Sequence, residues 1–439
     1  MHANKVIQAT LRLDYDQSQV SILTSFVENA ATCYGLEPSD ALDLTLASEE
    51  IFVYLCSLAS QKEQIELRCR HGGYFVELEF DFHAGNFDLG AFNLTASQII
   101  DTTSAQPETG LLIASRLVDK FSFFKHDHFS QLVLRKEKSY PIDQSAPFPL
   151  VKTLKDFLIR EPEPEELKLL VRHVRNEYDP CVIPLSFQTP GKIADMVQYG
   201  VSRVAIVVDK SGAIGGGILW WWQNAKLVEF WGPYSFGEPE SRVISSGLVE
   251  YMISSIARTT VVGLITISPS PKLPLEYFEP FGNLNMIAPD RDICRSTCYY
   301  RHMQEDSGSS VWAHQLVKDF LTTEYEQHVF ARQIRIVTNE GENVSLTSVI
   351  ATDIDKGRAK ATLKPIWWGK DDSKLIQTYI KALLKEGLFN IFFEMDLGHS
   401  WQCYFTPALL ESHFEPCLVL PYGGTGDILM FQYAGEIII

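Results

Sequence analysis

The first apolar pattern, KVIQATLRL, alternates with a period of two, as a strand with one buried face does. The period then lengthens. DQSQVSILTSFVENAATCYG opens on an aspartate cap, repeats its apolar residues at helical spacing and stops at Gly35, so a helix is predicted. EPSDALDLTLASEEIFVYLCSLAS is a second helix, starting at Ser39-Asp40, with an apolar body of Leu42, Leu46, Ile51, Val53 and Leu55. QIELRCRHGG and YFVELEFDF read as strands joined at His71-Gly72-Gly73. A loop rich in Gly, Asn and Thr, a helix TGLLIASRLVDKF and a strand HFSQLVLRKEK close this part. The three prolines of SYPIDQSAPFPL mark a boundary.

From Val151 the order changes. A strand in LKDFLIREP is followed by two helices, EPEELKLLVRHVRNEY and TPGKIADMVQYG, with acidic or Thr-Pro starts. RVAIVVD, AIGGGILWWW and KLVEFWGPY are strands joined by short turns. Helix ESRVISSGLVEYMISSIART, strand VVGLITIS, helix PLEYFEPFG and strand STCYYRHM follow. The remainder carries a repeat. Trp231-Gly232 and Phe278-Glu279-Pro280 recur as Trp368-Gly369 and Phe414-Glu415-Pro416, with Gly232 and Phe278 46 positions apart and Gly369 and Phe414 45. The expected class is α/β: an α/β sandwich over 1–138, a linker over 139–150, an α/β domain over 151–305, a connecting helix over 306–331 and a second, partial copy over 332–439.

Composition narrows the partners. A chain of 439 residues exceeds one ordinary core. A net charge of −17 disfavours nucleic acid and anionic lipid, which repel excess carboxylates. The eight cysteines form no paired framework, and Cys294 and Cys298 lack the second half of a zinc site, so reduced, mostly buried thiols and no structural metal are expected. Without a signal-like or membrane-length apolar run, the expected location is the cytoplasm. Of Trp220, Trp221 and Trp222, one must leave the strand face shared by the other two, and core packing is their expected use. The glycine-rich Pro421–Asp427 precedes a strand rather than a helix, and is read as a hairpin turn, not a phosphate loop.

The first module, with Glu50 on its acidic helix and Gly110 before Leu117-Val118-Asp119, resembles the GHKL (histidine kinase-like) ATPases of the anti-sigma-factor serine kinase type. The resemblance implies a pocket for ATP or ADP lined by Glu50, Tyr54, Asp81, Gly85 and Gly110. It also implies a protein partner of the sigma/anti-sigma kind. In that family the residue four after the glutamate is a magnesium-binding asparagine. Here it is Tyr54, and a phenol is a poor magnesium ligand. Anchoring the adenine box on Phe87-Asp88 puts Phe82 and Ala84 at its Asp and Gly positions, and Glu108 replaces a phosphate-loop glycine. The expectation is a retained scaffold without phosphoryl transfer, its pocket plugged by Tyr54 and Phe82.

The element order from Val151, with YFEPFGNL before a late strand, resembles the GNAT acyltransferases, and the last segment resembles the later part of a second such domain. That implies acetyl-CoA as a cofactor, its pyrophosphate held by a turn before a helix, where Gly232, Gly237 and Gly369 are candidates. The turns also carry acidic residues, Glu238 and Glu240 in the first copy. Acyl transfer needs a base and a group facing the departing thiolate. Glu229 and Tyr277 are candidates in the first copy, Glu394 and His413 in the second. Three functions follow as expectations. The first is a regulatory protein acting by ligand or protein binding. The second is an acyl-CoA-dependent N-acyltransferase controlled by the N-terminal module. The third is an ATP-dependent serine/threonine kinase, which Tyr54 opposes.

Overall fold

The computed structural model describes residues 7–58, 64–83, 93, 114–125, 129–142, 154, 156–236, 241–287 and 293–435. The chain is mixed α/β, and its compact units are not contiguous in sequence. One takes Met1–Tyr140, Val344–Thr352 and Lys364–Tyr379; the other takes Pro141–Asn343, Asp353–Leu363 and Ile380–Ile439.

In the first unit β1 (Gln8–Asp14), β2 (Gln64–His71), β3 (Phe75–Phe82), β4 (Lys120–Lys125) and β5 (Ser130–Glu137) form an antiparallel sheet in the order β1-β2-β3-β5-β4. One face is apolar. Ile65, Leu67, Leu78, Phe80, Leu132 and Leu134 point from it into a core shared with α1 (Val20–Cys33) and α2 (Pro38–Leu58). The alternate residues zip the other face with ion pairs. Arg68 reaches Glu66 at 3.0 Å, Glu79 at 2.8 Å and Asp81 at 2.6 Å; Arg70 reaches Glu79 at 2.6 Å and Arg135 reaches Glu77 at 2.9 Å. Arg68–Glu66 lies within β2; the cross-strand pairs each add about 0.2–1 kcal/mol. On α2 the structure corrects the expected helix face: Leu44, Ala47, Ile51, Phe52, Tyr54 and Leu55 are buried, while Leu42 and Leu46 are exposed. Apolar residues run almost all round this helix, so periodicity could not select the core side.

The second unit holds a seven-stranded sheet of β6 (Leu158–Arg160), β7 (Ser202–Val208), β8 (Ile214–Trp222), β9 (Leu227–Ser235), β10 (Gly263–Thr266), β11 (Glu279–Ile287) and β12 (Ile293–His302). Its order is β11-β12-β10-β9-β8-β7-β6. Helices α3 (Pro164–Glu177) and α4 (Pro190–Gln198) pack with Val204, Ile206, Leu219 and Trp231. Helix α5 (Ser241–Ile256) packs with Ile218, Trp220, Val228 and Phe230, the residues of opposite parity. The tryptophan run divides as its alternation requires. Trp220 and Trp222 join the α5 cluster, and Trp221 turns the other way to stack on Trp231 at 6.2 Å. Strand β11 departs from the expected order, in which a helix led straight to the last strand; only Leu275–Tyr277 is helical, as a 3-10 turn.

The connecting segment 306–331 is only partly helical. Ser309–Ala313 forms strand β13, paired in parallel with β14 (Arg332–Ile336), and helix α6 covers Lys318–Gln327. SerSerValTrpAla buries Val311 and Ala313 and exposes Ser310, a two-residue period hidden in the longer apolar run.

Strands β15 (Val349–Asp355), β16 (Lys360–Trp367), β17 (Asn390–Asp396), β18 (Phe414–Leu420) and β19 (Ile428–Tyr433) form a sheet ordered β15-β16-β17-β19-β18. Helices α7 (Asp372–Lys385) and α8 (Thr406–Glu411) lie between its strands in sequence. This order repeats β8-β9-β10-β12-β11, including the parallel pair. Both edge strands start at Phe-Glu-Pro, and both break register directly after the proline, between Pro280 and Asn283 and between Pro416 and Leu418. The two sheets remain separate. Side-chain amides join them: Asn390 exchanges two hydrogen bonds with the backbone of Ile287, 2.7 and 2.9 Å, and Gln432 does the same with Asn285.

Candidate functional site

Strands β9 and β10 run in parallel register only from Leu227–Glu229 against Gly263–Ile265. Beyond Glu229 they part. On its other side β9 loses register with β8 between Gly217 and Leu219, and Gly232 lies in this stretch with φ 95°, a conformation that favours glycine. At the divergence Thr266 is fully buried, and its Oγ1 has no hydrogen-bond partner among the described residues. A buried orphan hydroxyl costs about 1–3 kcal/mol, so it marks a place where a ligand amide or carbonyl would be welcome.

At the first turn of α5 a cavity of about 520 Å³ is lined by Ser241, Arg242 and Ser245 of the helix and by Lys272 and Glu276 after β10, with Arg242 paired to Glu276 at 3.3 Å. Ser235 and Ser241 share a hydrogen bond of 2.7 Å that ties the end of β9 to the helix. Two cationic side chains, serine hydroxyls and a helix N-terminus together suit a phosphate. Gly237 and its acidic neighbours Glu238 and Glu240 lie outside the described residues.

Glu229 stands where the strands part, paired with Ile265 on one side and Trp221 on the other. It is only 7% exposed and accepts a hydrogen bond from the Gln223 amide. Burial raises its pKa, partly opposed by Gln223 and Lys360, while Glu394 adds to the rise. Glu394, half-buried on β17, and Glu229 therefore share the field of Lys360, the first residue of β16. Burial lowers the Lys360 pKa, and Glu394, Glu229 and Asp355 oppose that shift; its ammonium lies 5.0 Å from the Phe392 ring centre. Glu229 and Glu394, which sequence could only name separately, thus lie within electrostatic reach of a lysine that sequence did not name. A strand-initial lysine looks like any solvated strand end, so nothing in the local pattern could have found it.

Tyr277 is not part of this group. It packs on the α5 side of the sheet, and its hydroxyl donates to Glu250 of α5, the main reason its pKa is raised. Glu229, by strand alternation, faces the α3/α4 side with Trp221 and Trp231. His413 is an exposed turn residue with φ 63° before β18.

The corresponding turn of the second copy is filled by the chain itself. The Gly369 N–H donates to Ser348 Oγ at 2.8 Å, and Ser348 Oγ donates to the Gly369 carbonyl at 3.1 Å. The Ser348 N–H donates to Asp371 at 2.6 Å, and the Trp368 indole N–H donates to Asp372 at 2.9 Å. A Cβ on Gly369 would lie 2.4 Å from the Thr347 carbonyl carbon, so this glycine serves close packing. The glycine-rich turn before β19 is likewise committed: Asp396 accepts the N–H groups of Gly398, Thr425 and Gly426 at 2.7–2.9 Å.

In the N-terminal unit Glu50 is half-buried on α2, whereas Tyr54 and Phe82 are both buried in the one core cluster. Asp81 accepts from Arg68 at 2.6 Å and from Gln131 at 2.9 Å, as part of the ion-paired sheet face. Gly85 and Gly110, with Ala84, Phe87, Asp88 and Glu108, lie outside the described residues. Asp119 accepts the Glu137 N–H at 2.6 Å. Among the described residues no group of three or more His, Cys, Asp or Glu could hold a metal ion, and no helix is long and apolar enough to cross a membrane.

No family model matches the chain, and no curated protein matches it. Solved structures similar to part of it include acetyltransferases. A crystal structure of aminoglycoside 6'-acetyltransferase type Ii is 14% identical and covers 34% of this chain and 98% of that one, with a TM-score of 0.27. The spermidine/spermine N-acetyltransferase from Vibrio cholerae is 13% identical over 34% of this chain and 93% of its own, TM-score 0.27. A GNAT superfamily phosphinothricin acetyltransferase from Sinorhizobium meliloti, solved with acetyl-CoA, is 14% identical over 35% and 91%, TM-score 0.27. The N-terminal resemblance to GHKL ATPases has no counterpart in these three.

Proposed function

We propose that the chain is an acyl-CoA-dependent N-acyltransferase with one reaction centre, at the parting of β9 and β10. The observation that carries this reading is the buried Glu229 where β9 and β10 part, with the orphan Thr266 hydroxyl and the cavity at the start of α5 on the other face of the same sheet. Ser241, Arg242, Ser245 and Lys272 would hold the pyrophosphate, and Thr266 Oγ1 would bond an amide of the pantetheine arm. Acyl-CoA, when bound, supplies an activated thioester carbonyl. Glu229 accepts the proton that the acceptor amine gives up as its nitrogen bonds to that carbonyl carbon; the carbon–sulfur bond breaks, and the departing thiolate takes that proton back from Glu229 or one from water. The raised pKa of Glu229 moves it towards the operating pH, where a general base works best. Tyr277, already bonded to Glu250, is assigned to packing.

The second copy then supports Glu229 through Lys360 and Glu394 and binds no acyl-CoA of its own. The N-terminal unit acts as a regulatory scaffold without phosphoryl transfer. The burial of Tyr54 and Phe82 in its core supports that part of the reading.

The test combines ligand stabilisation and kinetics on the full chain. Acetyl-CoA at 100 times its dissociation constant should add about 2.7 kcal/mol of stability. ATP with magnesium should add none. Glu229→Gln should lower kcat by roughly 10²–10⁴ and leave acetyl-CoA stabilisation in place. In the wild type, activity should climb with pH through the raised Glu229 pKa, and the variant should lack that limb. Silence towards acetyl-CoA, or a Glu229→Gln variant with full activity, would overturn the reading. Saturable ATP hydrolysis would overturn the scaffold assignment.

A further inference from the structure

On the α3/α4 side of the sheet, the side Glu229 faces, lies a cavity of about 280 Å³. At about 30 Å³ per water it holds roughly nine waters, the room a single amino acid needs. Its walls are the end of α3 at Arg175, the two 3-10 turns Pro180–Val182 and Leu185–Gln188, and the β15–β16 turn with Asp355 and Arg358. Ile183 and Phe187 make one side apolar.

Arg358 is the unusual wall. Its side chain is 11% exposed, and its guanidinium carbon lies 4.7 Å from the centre of the Trp231 ring. Nε donates to the Pro180 carbonyl at 3.3 Å, and Nη2 donates to the carbonyls of Pro180 and Ile183. Nη1 makes no hydrogen bond among the described residues; its carboxylate neighbour, Asp355, is 3.7 Å away, beyond hydrogen-bond reach. A guanidinium held by carbonyls at Nε and Nη2 and by an indole on its face keeps Nη1, with Asp355 3.7 Å away, to meet an anion. Trp231, on which it rests, is two residues from Glu229 on the same strand face, about 7 Å along the strand.

We infer that this cavity binds an apolar α-amino acid or its chemical equivalent as the acyl acceptor. Its carboxylate lies on Arg358, its side chain lies against Ile183 and Phe187, and its amine turns towards Glu229. The role as acceptor rests on the acyl-transfer reading; the cavity's preference for a carboxylate does not.

Calorimetry on the full chain with N-acetyl-leucine and N-acetyl-leucinamide, which needs no turnover, tests the cavity. The acid should bind at least tenfold more tightly than the amide. Arg358→Gln should erase that preference. Asp355→Asn, which keeps the guanidinium and removes the competing carboxylate, should tighten the acid severalfold and serves if Arg358→Gln does not fold. Equal binding of acid and amide, or a preference that survives Arg358→Gln, would overturn the assignment. Thiol release from acetyl-CoA with leucine against leucinamide then tests the acceptor role. Leucine should be favoured at least tenfold in kcat/KM, and equal rates would overturn it. Arg358-dependent binding of N-acetyl-leucine by a chain that ignores acetyl-CoA would keep the carboxylate cavity and refute acyl transfer.

Discussion

Arg332 offers a severe test of how the second unit is held together. Its side chain is fully buried, and it meets two carboxylates that are 3% and 0% exposed: Asp306 at 2.6 Å through Nη1, and Asp427 at 2.7 Å through Nε. Both carboxylates have further work. Asp306 accepts from the Tyr422 hydroxyl and the Gly308 N–H, and Asp427 accepts the Tyr422 N–H at 2.8 Å. Replacing Arg332 by methionine keeps much of the volume and leaves two buried carboxylates facing each other. Breaking a buried pair in this way costs about 3–5 kcal/mol, because the remaining charge is uncompensated. At about 2–4 °C per kcal/mol the thermal midpoint should fall by roughly 6–20 °C. The pH dependence gives a second reading. Burial pushes the Asp306 carboxyl up, but Tyr422, Gly308 and Arg332 outweigh it, so its pKa lies below the usual value. A depressed carboxyl stabilises fully above its unfolded pKa of about 3.9, and that contribution is lost as pH falls through the folded value. Without Arg332 burial meets less opposition, the folded pKa rises, and acid unfolding should start at a higher pH. Denaturant titrations followed by tryptophan fluorescence, repeated across pH 3–7, measure both effects. A loss under about 0.5 kcal/mol with an unmoved acid limb would show that water reaches the trio and that its burial argument is wrong.

Two further outcomes follow from other contacts. Asn390→Ala should destabilise the second unit by about 1–3 kcal/mol, since Ile287 loses two hydrogen bonds and the Arg358 carbonyl a third; equilibrium unfolding measures it, and an unchanged midpoint would mean that water replaces the amide. Thiol labelling of the native chain should modify the exposed Cys33 and Cys181 quickly and reach Cys69, Cys298 and Cys403 only on unfolding, because burial holds those three thiols up at about 12; native modification of any of the three, read by mass spectrometry, would contradict the packing.

Strong local signals in the sequence were also the ones the fold uses. The Phe-Glu-Pro anchors stand at equivalent places in the two copies because proline, with no N–H, suits an edge strand and the register break after it. The tryptophan run could be divided between two faces because a strand leaves no other choice. Where two patterns overlapped, the reading failed. Glu279–Ile287 follows a helix-like stretch, and the prolines and polar residues that suit an edge strand hide its period. SerSerValTrpAla merged with the helix after it. Arg358, Lys360 and Thr266 had no local signal at all. Arg358 acquires its meaning from Trp231 and the carbonyls of Pro180 and Ile183, more than a hundred residues earlier, and Thr266 from the parting of two strands.

The difference between the two copies argues against duplicated function. An internal carboxylate on a group of backbone N–H donors is chemically a bound anion, but it is tethered. Its effective concentration is millimolar or higher and it cannot diffuse away. Asp371 on the Ser348 N–H and Asp396 on Thr425 and Gly426 therefore hold the places that a phosphate would have to win. Two acidic residues at the start of α7 also favour the helix dipole, so their presence stabilises the very turn they close. In the first copy, the corresponding turn of α5 lines a cavity with Ser241, Ser245, Arg242 and Lys272, the serines bonded to Ser235 and Arg242 paired with Glu276. Duplication thus leaves one copy whose turn opens on a cavity and one whose backbone donors are taken by its own carboxylates. The second copy is still needed. It carries Lys360 and Glu394 to the buried Glu229, and Arg358 to Trp231, so the chemistry proposed for the first sheet depends on residues that only the second supplies.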